Sequence, residues 1–376
     1  MINFFGPVNP TGYGVHSTNF IAALSKLVDI RLFLKGNHDY NGKHKETINK
    51  LLQVGKETFN RFDTSICLWH GSDMATFCGS PRIAYTVFEI DKLRTHEVSH
   101  LGSCDRVWVP SKWAQEIVQR DLANRYLTTA VVPEGVDTEM FPYTSEERSF
   151  SRFRLLNIGK FEVRKGHLQI LEWLKKTKHP VDFIGHWYSM FMAKDTIHNL
   201  IKSFGFKHLG MNFIDSDELT PQIMCDVFGS DNSPAKLWMP TDYLRSEGGT
   251  KSLINQANAG VFPYSAEGWN LPLMECMASG LPCIATMYSG PTEFLTPDNA
   301  MLLMDYNMMP AQDGVFFHGD GQWAAINPNE LEQAINDIIE IKSIRQDIRT
   351  DLKTFGEQWT WDNAAQIAVK ELEGVL

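Results

Sequence analysis

Short apolar runs and helical patterns alternate along the whole chain. Runs of four to seven mostly apolar residues, bounded by turn residues, have the length of buried strands. In the first half we predict strands at residues 2–5, 29–34, 65–70, 82–88, 106–109 and 129–132. In the second half we predict strands at residues 154–159, 181–185, 211–215, 260–264, 282–287 and 300–304.

Helical patterns fill the intervals between these runs. The pattern of residues 17–27 places four apolar side chains on one face: Phe20, Ile21, Leu24 and Leu27. In residues 111–122, Ser111 stands where it can cap the start of a helix. Further helices are predicted at residues 167–176, after Leu271, and at 328–342 and 361–374. Residues 305–324 are predicted to be an irregular insertion or loop.

The alternation of strands and helices predicts an α/β protein with parallel sheets covered by helices on both faces. With 376 residues, the chain is long enough for two domains. A polar, serine-rich seam at residues 141–153 separates the halves. We therefore expect two doubly wound, Rossmann-like domains that face a central cleft, with ligands at the carboxyl ends of the strands.

Composition and charge indicate which partners and which compartment the protein is expected to have. The formal net charge of -10 argues against a nucleic-acid-binding surface. The first residues lack the basic segment and apolar run of a signal peptide, and no stretch of about 18 apolar residues predicts a membrane span. The six cysteines have neither C-x-x-C nor zinc-site spacing, so we expect reduced, mostly buried thiols in a cytoplasmic protein.

Two glutamates flank a predicted helix start. Glu267 lies in the loop after a strand, and Glu275 is expected in the first turn of the helix that Pro272 opens. The N–H groups of a helix start bind anions, and Gly268 lets the backbone approach a ligand. Carboxylates repel an anion, so these two suit hydroxyl groups on either side of it, as in a diphosphate with a sugar at each end. Alternatively, Glu275 complements the helix dipole and Glu267 is solvated.

A basic loop follows the first strand of the second half. Gly159 and Gly166 frame Lys160, Arg164 and Lys165 just before a predicted helix. Cations at the end of a strand fit a phosphate site, although a solvated basic loop is an alternative. Since this loop and the glutamate loop follow strands of one predicted sheet, we expect them to converge on one crevice.

A glycine-rich loop, residues 6–16, follows the first strand of the chain. Its order of glycines is not G-x-G-x-x-G, so it is weak evidence for a nicotinamide cofactor. Gly12 and Gly14 nevertheless predict a backbone that comes close to another group.

The segment EGWNLPLMECMASGLPCIATMYSGPTE closely resembles the donor-binding segment of retaining GT-B glycosyltransferases, family four in particular. NIGKFEVRKGH resembles the phosphate-binding loop of that family, and CDRVWVPSKWAQEIV and VVPEGVDTEMFPY resemble its first domain and hinge. WTWDNAA is similar to its closing helix. The resemblance implies an acceptor-side domain at residues 1–148, a donor-side domain at 149–345 and helices at 346–376 that cross back to the first domain.

The resemblance also implies roles for the donor-side residues. Glu275 would bind the ribose hydroxyls of a nucleotide, and Glu267 would hold the donor sugar. The amides of four consecutive residues would hold the sugar and the diphosphate: Gly268, Trp269, Asn270 and Leu271. Lys165, with Lys160 or Arg164, would neutralise the phosphates as the leaving group departs.

The family transfers a sugar from a nucleotide-diphosphate donor to a hydroxyl acceptor, with retention and without a metal. Fixed cations and a helix N-terminus can stabilise a leaving diphosphate in place of a divalent ion, so we expect no cofactor and no metal. Gly12 and Gly14 would approach the donor from the other domain. Asp215-Ser216-Asp217 superficially matches the metal motif of the other glycosyltransferase fold, but a helix cap at Ser216 or Asp217 is the simpler explanation.

One position departs from the family pattern. Many relatives have a histidine after the fourth strand of the first domain, where this chain has Phe88 and Glu89. Glu89 is therefore a candidate for orienting the acceptor or the sugar, and we predict that it acts with Glu267 and Lys165. The alternatives are His70 and His16.

These residues predict a glycosyltransferase whose partners are a nucleotide-sugar donor and a glycan, lipid-linked or small-molecule acceptor. The alternatives are a catalytically idle nucleotide-sugar-binding module, which the change at Glu89 would support, and a GT-B-fold epimerase. A periplasmic-type solute binder would carry a signal peptide, and a phosphorylase would need a much longer chain with a pyridoxal-bearing lysine. The aromatic segment 186–192 is predicted to pack in the core, with peripheral membrane or acceptor contact as the alternative.

Overall fold

A computed structural model describes residues 1–123, 127–189, 192–214, 222–241 and 247–373 of the protein. Its first sheet has six strands, which are in chain order β1 Ile2–Val8, β2 Ile30–His38, β3 Ser65–Leu68, β4 Arg82–Tyr85, β5 Arg106–Val109 and β6 Thr128–Val131. In space they follow the order β2-β1-β3-β4-β5-β6, and every pair is parallel. The order reverses between β1 and β3, so the loops after these strands border a crevice.

Four helices cover the first sheet: α1 Gly12–Leu24, α2 Lys45–Thr58, α3 Thr95–Leu101 and α4 Lys112–Asp121. The cap predicted for α4 is confirmed, because Ser111 Oγ accepts a hydrogen bond of 3.2 Å from the amide of Ala114. The first helix begins earlier than predicted, since Thr11 caps it and accepts from the amide of Gly14.

The second sheet has eight strands: β7 Arg154–Lys160, β8 Asp182–Tyr188, β9 Lys207–Ile214, β10 Ile223–Ser230, β11 Ser233–Pro240, β12 Ala259–Phe262, β13 Cys283–Thr286 and β14 Met301–Leu303. Their order is β14-β13-β12-β7-β8-β11-β10-β9. All pairs are parallel except those of β10, which is antiparallel to both β9 and β11. The predicted α/β class with two mostly parallel sheets is confirmed.

The antiparallel part of this sheet was not predicted. The helix that Ser216 or Asp217 was expected to cap would include Ile223 and Met224, but these two residues begin β10. Residues 215–221, with Asp215, Ser216 and Asp217, lie outside the described residues. Only Asp231 and Asn232 separate β10 from β11. A two-residue polar connection between apolar runs is typical of a hairpin, which is the signal that the prediction missed.

The helices of the second half are α5 His167–Lys176, α6 Lys194–Ser203, α7 Glu247–Ile254, α8 Leu271–Ala278, α9 Pro328–Glu340, α10 Lys342–Asp351, α11 Phe355–Gln358 and α12 Trp361–Glu373. The last helix packs beside α1, where Lys26 Nζ lies 2.8 Å from Asp362 Oδ1. An isolated bridge between Val136 and Thr360 also ties this end of the chain to the segment after β6. The chain therefore returns to the first sheet.

Residues 305–324 were predicted to be irregular, and this prediction is wrong. They form most of an antiparallel hairpin of two strands, β15 Tyr306–Gln312 and β16 His318–Ile326, which we call the cleft hairpin. Most of its outward-facing residues are exposed, Met308 among them, while Ala311 and Trp323 are buried. The hairpin is stabilised by the packing of these two side chains on the rest of the protein. The sequence pattern alone does not indicate it.

Other predictions concern burial. All six cysteines are free thiols, and all are buried except Cys78. In the aromatic segment 186–192, His186 and Trp187 are buried, Tyr188 and Ser189 are half-buried and Met192 is exposed, so core packing is confirmed only for the first two residues. Met190 and Phe191 lie outside the described residues. Among the described helices, none has the length and apolar character that a membrane span requires.

Candidate active site

The loop between β12 and α8 carries the first predicted glutamate. Asn270 adopts a left-handed backbone conformation with φ 78°, and its side-chain oxygen accepts from the amide of Leu273, so the helix begins at Leu271. The amide groups of residues 268–271 donate to no acceptor in the part of the chain that the structure describes. They are free to bind an anion at the helix N-terminus.

Glu267 is held by cations and is not solvated. It is 3 % exposed, with Oε2 2.9 Å from Arg164 Nη1 and Oε1 2.5 Å from Lys165 Nζ. Its amide donates to Ser289 Oγ at 2.8 Å. The alternative in which Glu267 is a solvated surface carboxylate is therefore wrong.

The basic loop and the glutamate loop meet, as predicted for strands of one sheet. Arg164 and Lys165 lie in a short 3-10 turn that follows β7. The amide of Ser265 donates to the carbonyl oxygen of Arg164 at 2.7 Å, so the two loops are joined through their main chains as well as through Glu267. This junction lies at the carboxyl ends of β7 and β12, which are paired in the sheet.

Arg164 is the centre of a buried ion network. Its side chain is 7 % exposed, and Nη2 lies 3.1 Å from Glu162 Oε2 and 3.2 Å from Glu89 Oε1. Burial opposes the charged guanidinium, but the carboxylates of Glu267, Glu89 and Glu162 more than offset it and raise the pKa of Arg164. Arg164 is thus a permanent charge that three carboxylates share.

The remaining cations of the network sit beside Arg164. Lys160 Nζ lies 2.7 Å from Glu162 Oε1. Burial raises the pKa of Glu162, but Arg164 and Lys160 outweigh it and hold this pKa at about 2. For Lys165, burial is the largest effect and lowers the pKa, even though Glu267 opposes it. An anion that approached Lys165 would favour its charged form.

Glu89 reaches this network from the first sheet. It follows β4, in a loop that Tyr13 fixes by donating its hydroxyl to the carbonyl oxygen of Val87 at 2.6 Å. Val87 also packs on the glutamate loop, since a Cβ added at Gly268 would lie 2.2 Å from Val87 Cγ1. The glycine at position 268 is therefore required by contact between the two domains, in addition to the ligand contact that was predicted.

Glu275 lies apart from the ion network. Because α8 begins at Leu271, this residue is in the second turn of the helix, and the expectation that it lies in the first turn is wrong. A dipole effect confined to the first turn does not explain its position. Glu275 is half-buried and lines a small cavity with Val15, Asp137 and Trp361, between α1, the segment after β6, α8 and α12.

Two of the predicted donor-binding residues, Gly14 and Trp269, have structural roles that the sequence did not reveal, and Gly12 has none of this kind. A Cβ at Gly14 would lie 2.0 Å from the carbonyl oxygen of Asn9, whereas a Cβ at Gly12 would meet nothing within 4 Å. The side chain of Trp269 is buried, with its ring centroid 5.1 Å from that of Phe294, so only its main chain faces the cleft. Donor contacts at these positions stay predictions.

The two alternative histidines have different surroundings. His16 is buried, with Nδ1 3.4 Å from Glu134 Oε1 and its ring 4.8 Å from that of Tyr85. These contacts are those of a core residue. His70 is exposed and lies edge-on to Tyr13 at 4.6 Å, on the side of the first domain that faces the network.

The sequence analysis missed Trp323 of the cleft hairpin. This side chain is 0 % exposed, and its indole N–H donates to the carbonyl oxygen of Glu89 at 2.7 Å. It stands in a segment without strand or helix periodicity, so the pattern gave no signal. Tyr13 was also missed, although its place inside the glycine-rich loop offered one.

Comparisons with known proteins agree with this arrangement. The family described as Glycosyl transferases group 1 matches residues 240–313. No curated protein matches the chain by sequence. Among solved structures, sucrose-phosphate synthase from Thermosynechococcus elongatus is similar at a TM-score of 0.66 and 14 % identity, over 100 % of this chain and 98 % of that one.

Two further structures show the same fold over nearly the whole chain. Anabaena HepE, solved in complex with UDP and glucose, has a TM-score of 0.63 and 14 % identity, over 100 % of this chain and 99 % of its own. A glycosyltransferase from Rickettsia africae has a TM-score of 0.61 and 10 % identity, over 99 % and 97 %. Residues 240–313 thus match the family Glycosyl transferases group 1, and the chain as a whole shares the predicted GT-B fold with these structures.

Proposed function

We propose that the protein moves a sugar from a nucleotide-diphosphate donor to a hydroxyl acceptor, with retention at the anomeric carbon and without a metal ion, as a member of family four. The observation that carries the proposal is the meeting of Lys165 with Glu267 beside the free amides of residues 268–271. Positive charge and hydroxyl-binding oxygens then lie together at the carboxyl ends of paired strands, where open α/β sheets bind ligands.

The cations stabilise the leaving group in this proposal. The bond between the anomeric carbon and the phosphate oxygen breaks, and negative charge develops on the departing diphosphate. Lys165 and the amides of the α8 N-terminus stabilise this charge in fixed positions, which costs no reorganisation during the reaction. Lys160 adds a further cationic side chain at the edge of the same loop.

The carboxylates accept hydrogen bonds from the hydroxyl groups of the substrates in this proposal. Glu267 and Arg164 orient the donor sugar near the diphosphate, while Glu275 takes the ribose of the nucleotide. Glu89 orients the acceptor or the sugar from the other domain. On the face from which the diphosphate leaves, the acceptor oxygen forms the new bond to the anomeric carbon and transfers its proton to the departing phosphate oxygen.

The cleft has to open for the donor. Glu89 and Arg164 are paired, and Val87 packs against Gly268, so the two domains touch at the place where the donor would bind. A diphosphate competes with Glu89 for positive charge, and its arrival separates this pair. Closure of the cleft around the bound donor would then exclude water from the reacting sugar.

The partners follow from the same site. HepE was solved with UDP-glucose, so uridine nucleotides are the first donors to test here. The acceptor is a glycan, a lipid-linked saccharide or a small molecule; nucleic acid is not an expected partner for a chain of net charge -10. Six free thiols support a reducing compartment, the cytoplasm, as the location.

Release of free nucleotide from UDP-sugars tests the activity directly. Thermal unfolding with UDP, GDP and ADP first identifies the base, since a ligand that binds the folded state raises Tm. The expected result is a Tm increase with one of these and nucleotide release from the matching sugar donor, with an α-linked product from an α-linked donor. Nucleotide binding without release or transfer would instead favour the idle binding module.

A further inference from the structure

The cleft hairpin extends from the second domain to the first. It follows β14 of the second sheet, and its inner face packs on residues 89–94, the loop after β4 of the first sheet. Ile90, Ala266, Ala311 and Trp323 form one small buried cluster, which draws residues from the loop of Glu89, the glutamate loop and the hairpin itself. Trp323 is the largest of these side chains, and it is completely buried.

Polar contacts attach the hairpin to the loop of Glu89 along its length. The indole N–H of Trp323 donates to the carbonyl oxygen of Glu89 at 2.7 Å, and the amide of Gln322 donates to Asp91 Oδ1 at 2.6 Å. Arg94 lies 3.6 Å from Asp320, and its guanidinium also donates to the carbonyl oxygen of Phe316. The loop thus has partners on the hairpin from residue 89 to residue 94.

The same strand is joined to the donor side. The amide of Ala324 donates to the carbonyl oxygen of Ser265 at 2.9 Å, and the amide of Ser265 donates to Arg164 at 2.7 Å. Trp323 is therefore adjacent to Ala324, from which main-chain hydrogen bonds continue through Ser265 to Arg164. Arg164 is also the residue that the Glu89 carboxylate contacts. One side chain fixes the position of Glu89 relative to the loop that holds Glu267.

The packing leaves little freedom in this junction. A Cβ at Gly321 would lie 3.0 Å from Asp91 Oδ1 and 3.2 Å from Ile90 Cβ, so the strand and the loop are in close contact. Glu89 lies at the start of this loop, with its carboxylate 3.2 Å from Arg164. Its carboxylate can keep that place only if its main chain is held.

We propose that Trp323 is a positioning residue for the transfer reaction: its indole N–H holds the main chain of Glu89 so that the carboxylate faces the donor site when the cleft is closed. The inference rests on the proposed function, because it assigns Glu89 to the acceptor or the sugar. It adds that the cleft hairpin is part of the active site and that its contribution reaches the reaction through Glu89. Donor binding, which depends on Lys165 and the α8 N-terminus, does not require it.

The test compares Trp323→Phe with Trp173→Phe. Phenylalanine keeps an aromatic ring but has no N–H. Trp173, on α5, is also buried, and its indole nitrogen has no hydrogen-bond partner among the described residues, so it controls for the loss of ring volume. Removing a single hydrogen bond should lower kcat of Trp323→Phe about three- to tenfold. The affinity for UDP should stay within about twofold of the parent in both variants.

A double-mutant cycle with Glu89→Ala shows whether the effect passes through Glu89. If it does, Trp323→Phe costs little further activity once Glu89 is absent. Additive losses, or a fall in UDP affinity equal to the fall in kcat, would mean that Trp323 only stabilises the fold and would overturn the proposal.

Hydrogen exchange gives a readout that does not need turnover. In Trp323→Phe the amides of residues 88–94 should exchange at least about fivefold faster, while Trp173→Phe leaves them unchanged. Unchanged exchange in Trp323→Phe overturns the positioning role even if no donor is ever found. If exchange is faster but the protein neither binds nucleotide nor transfers sugar, Trp323 does hold the main chain of Glu89, but the proposed function is wrong. The two proposals can therefore fail separately.

Discussion

Arg164 Nη2 lies 3.2 Å from Glu89 Oε1, and these two residues come from loops on different sheets. The same guanidinium binds Glu267 and Glu162, so one buried cation connects the acceptor-side carboxylate with the donor-side loop. A charge in this position is favourable only while its carboxylates surround it. Closure of the cleft and order in the candidate site are therefore linked through Arg164.

Replacing Arg164 should destabilise the protein strongly. In Arg164→Met three carboxylates lose their shared partner, and breaking a buried pair costs about 3–5 kcal/mol of unfolding free energy. Arg164→Lys should lose less, because it keeps the charge but lacks the planar fork of donors. Urea unfolding measures both. Lys26→Met, whose ion pair with Asp362 is exposed on both sides, is the control and should lose at most about 1 kcal/mol. Equal losses at the two positions would contradict the central role of Arg164.

Nucleotide affinity should depend on Lys165 more than on Glu275. A charge-assisted hydrogen bond contributes about 1.5–3 kcal/mol, so Lys165→Ala should weaken nucleoside diphosphate binding at least about tenfold. Glu275→Gln should weaken it less, because the amide still accepts from a ribose hydroxyl. Calorimetric titration with UDP, or with the base that the thermal screen selects, gives both values. Lys207→Ala, at an exposed pair with Asp231, should have no effect. If neither Lys165 nor Glu275 alters affinity, the donor site has been assigned to the wrong residues.

Gly268 and Gly12 should respond differently to alanine. At Gly268 the new methyl group would overlap Val87, so Gly268→Ala should hold the domains apart and lower turnover about tenfold or more. At Gly12 the methyl group meets nothing, so Gly12→Ala should leave Tm unchanged or slightly raised. Turnover and thermal unfolding of both variants are the measurements. A loss of donor affinity in Gly12→Ala at full stability would support the predicted donor contact there.

Stability should fall in acid partly through His167. This side chain is buried against Phe161 and Trp187, and burial, with Lys165 nearby, lowers its pKa from 6.5 to about 3. The unfolded chain takes up a proton below pH 6.5 that the folded chain refuses until about pH 3, so this contribution is present above pH 6.5 and is lost as pH falls. The slope is about 1.4 kcal/mol per pH unit inside that window. Urea unfolding at pH 7 and 5 should show a smaller decrease in His167→Phe than in the parent.

The control for this pH effect is the exposed His38. Replacing this exposed side chain by phenylalanine should leave the pH dependence as in the parent protein. A decrease between pH 7 and 5 that is identical in all three proteins would show that His167 does not titrate as a buried residue.

Sugar transfer should persist without divalent metal. The proposed site supplies Lys160, Lys165 and a helix N-terminus as fixed positive charge, which replaces the ion that other transferases place on the diphosphate. After dialysis against EDTA, nucleotide release should stay within about twofold of its rate before treatment, and added Mg²⁺ or Mn²⁺ should not raise it. Loss of activity with EDTA and its return with one metal would refute metal independence.

Much of the secondary structure and the location of the candidate site were contained in the sequence. Apolar runs marked all six strands of the first sheet, most clearly β1 and β3, because a strand buried on both faces is apolar throughout. Ser111 marked the start of α4, and Pro272 marked that of α8, because capping depends on neighbours within one turn. The basic loop and the glutamate loop were expected to converge because both follow strands of one parallel sheet.

The tertiary structure alone decided which residues face one another across the cleft. The pairing of Glu89 with Arg164, the contact of Gly268 with Val87 and the burial of Trp323 join segments that are far apart in the chain. Local periodicity fixes where a loop leaves its own strand, but it carries no information on how two separate sheets pack. That arrangement follows from the summed contacts of both domains and the returning helix α12, and therefore only the folded chain determines it.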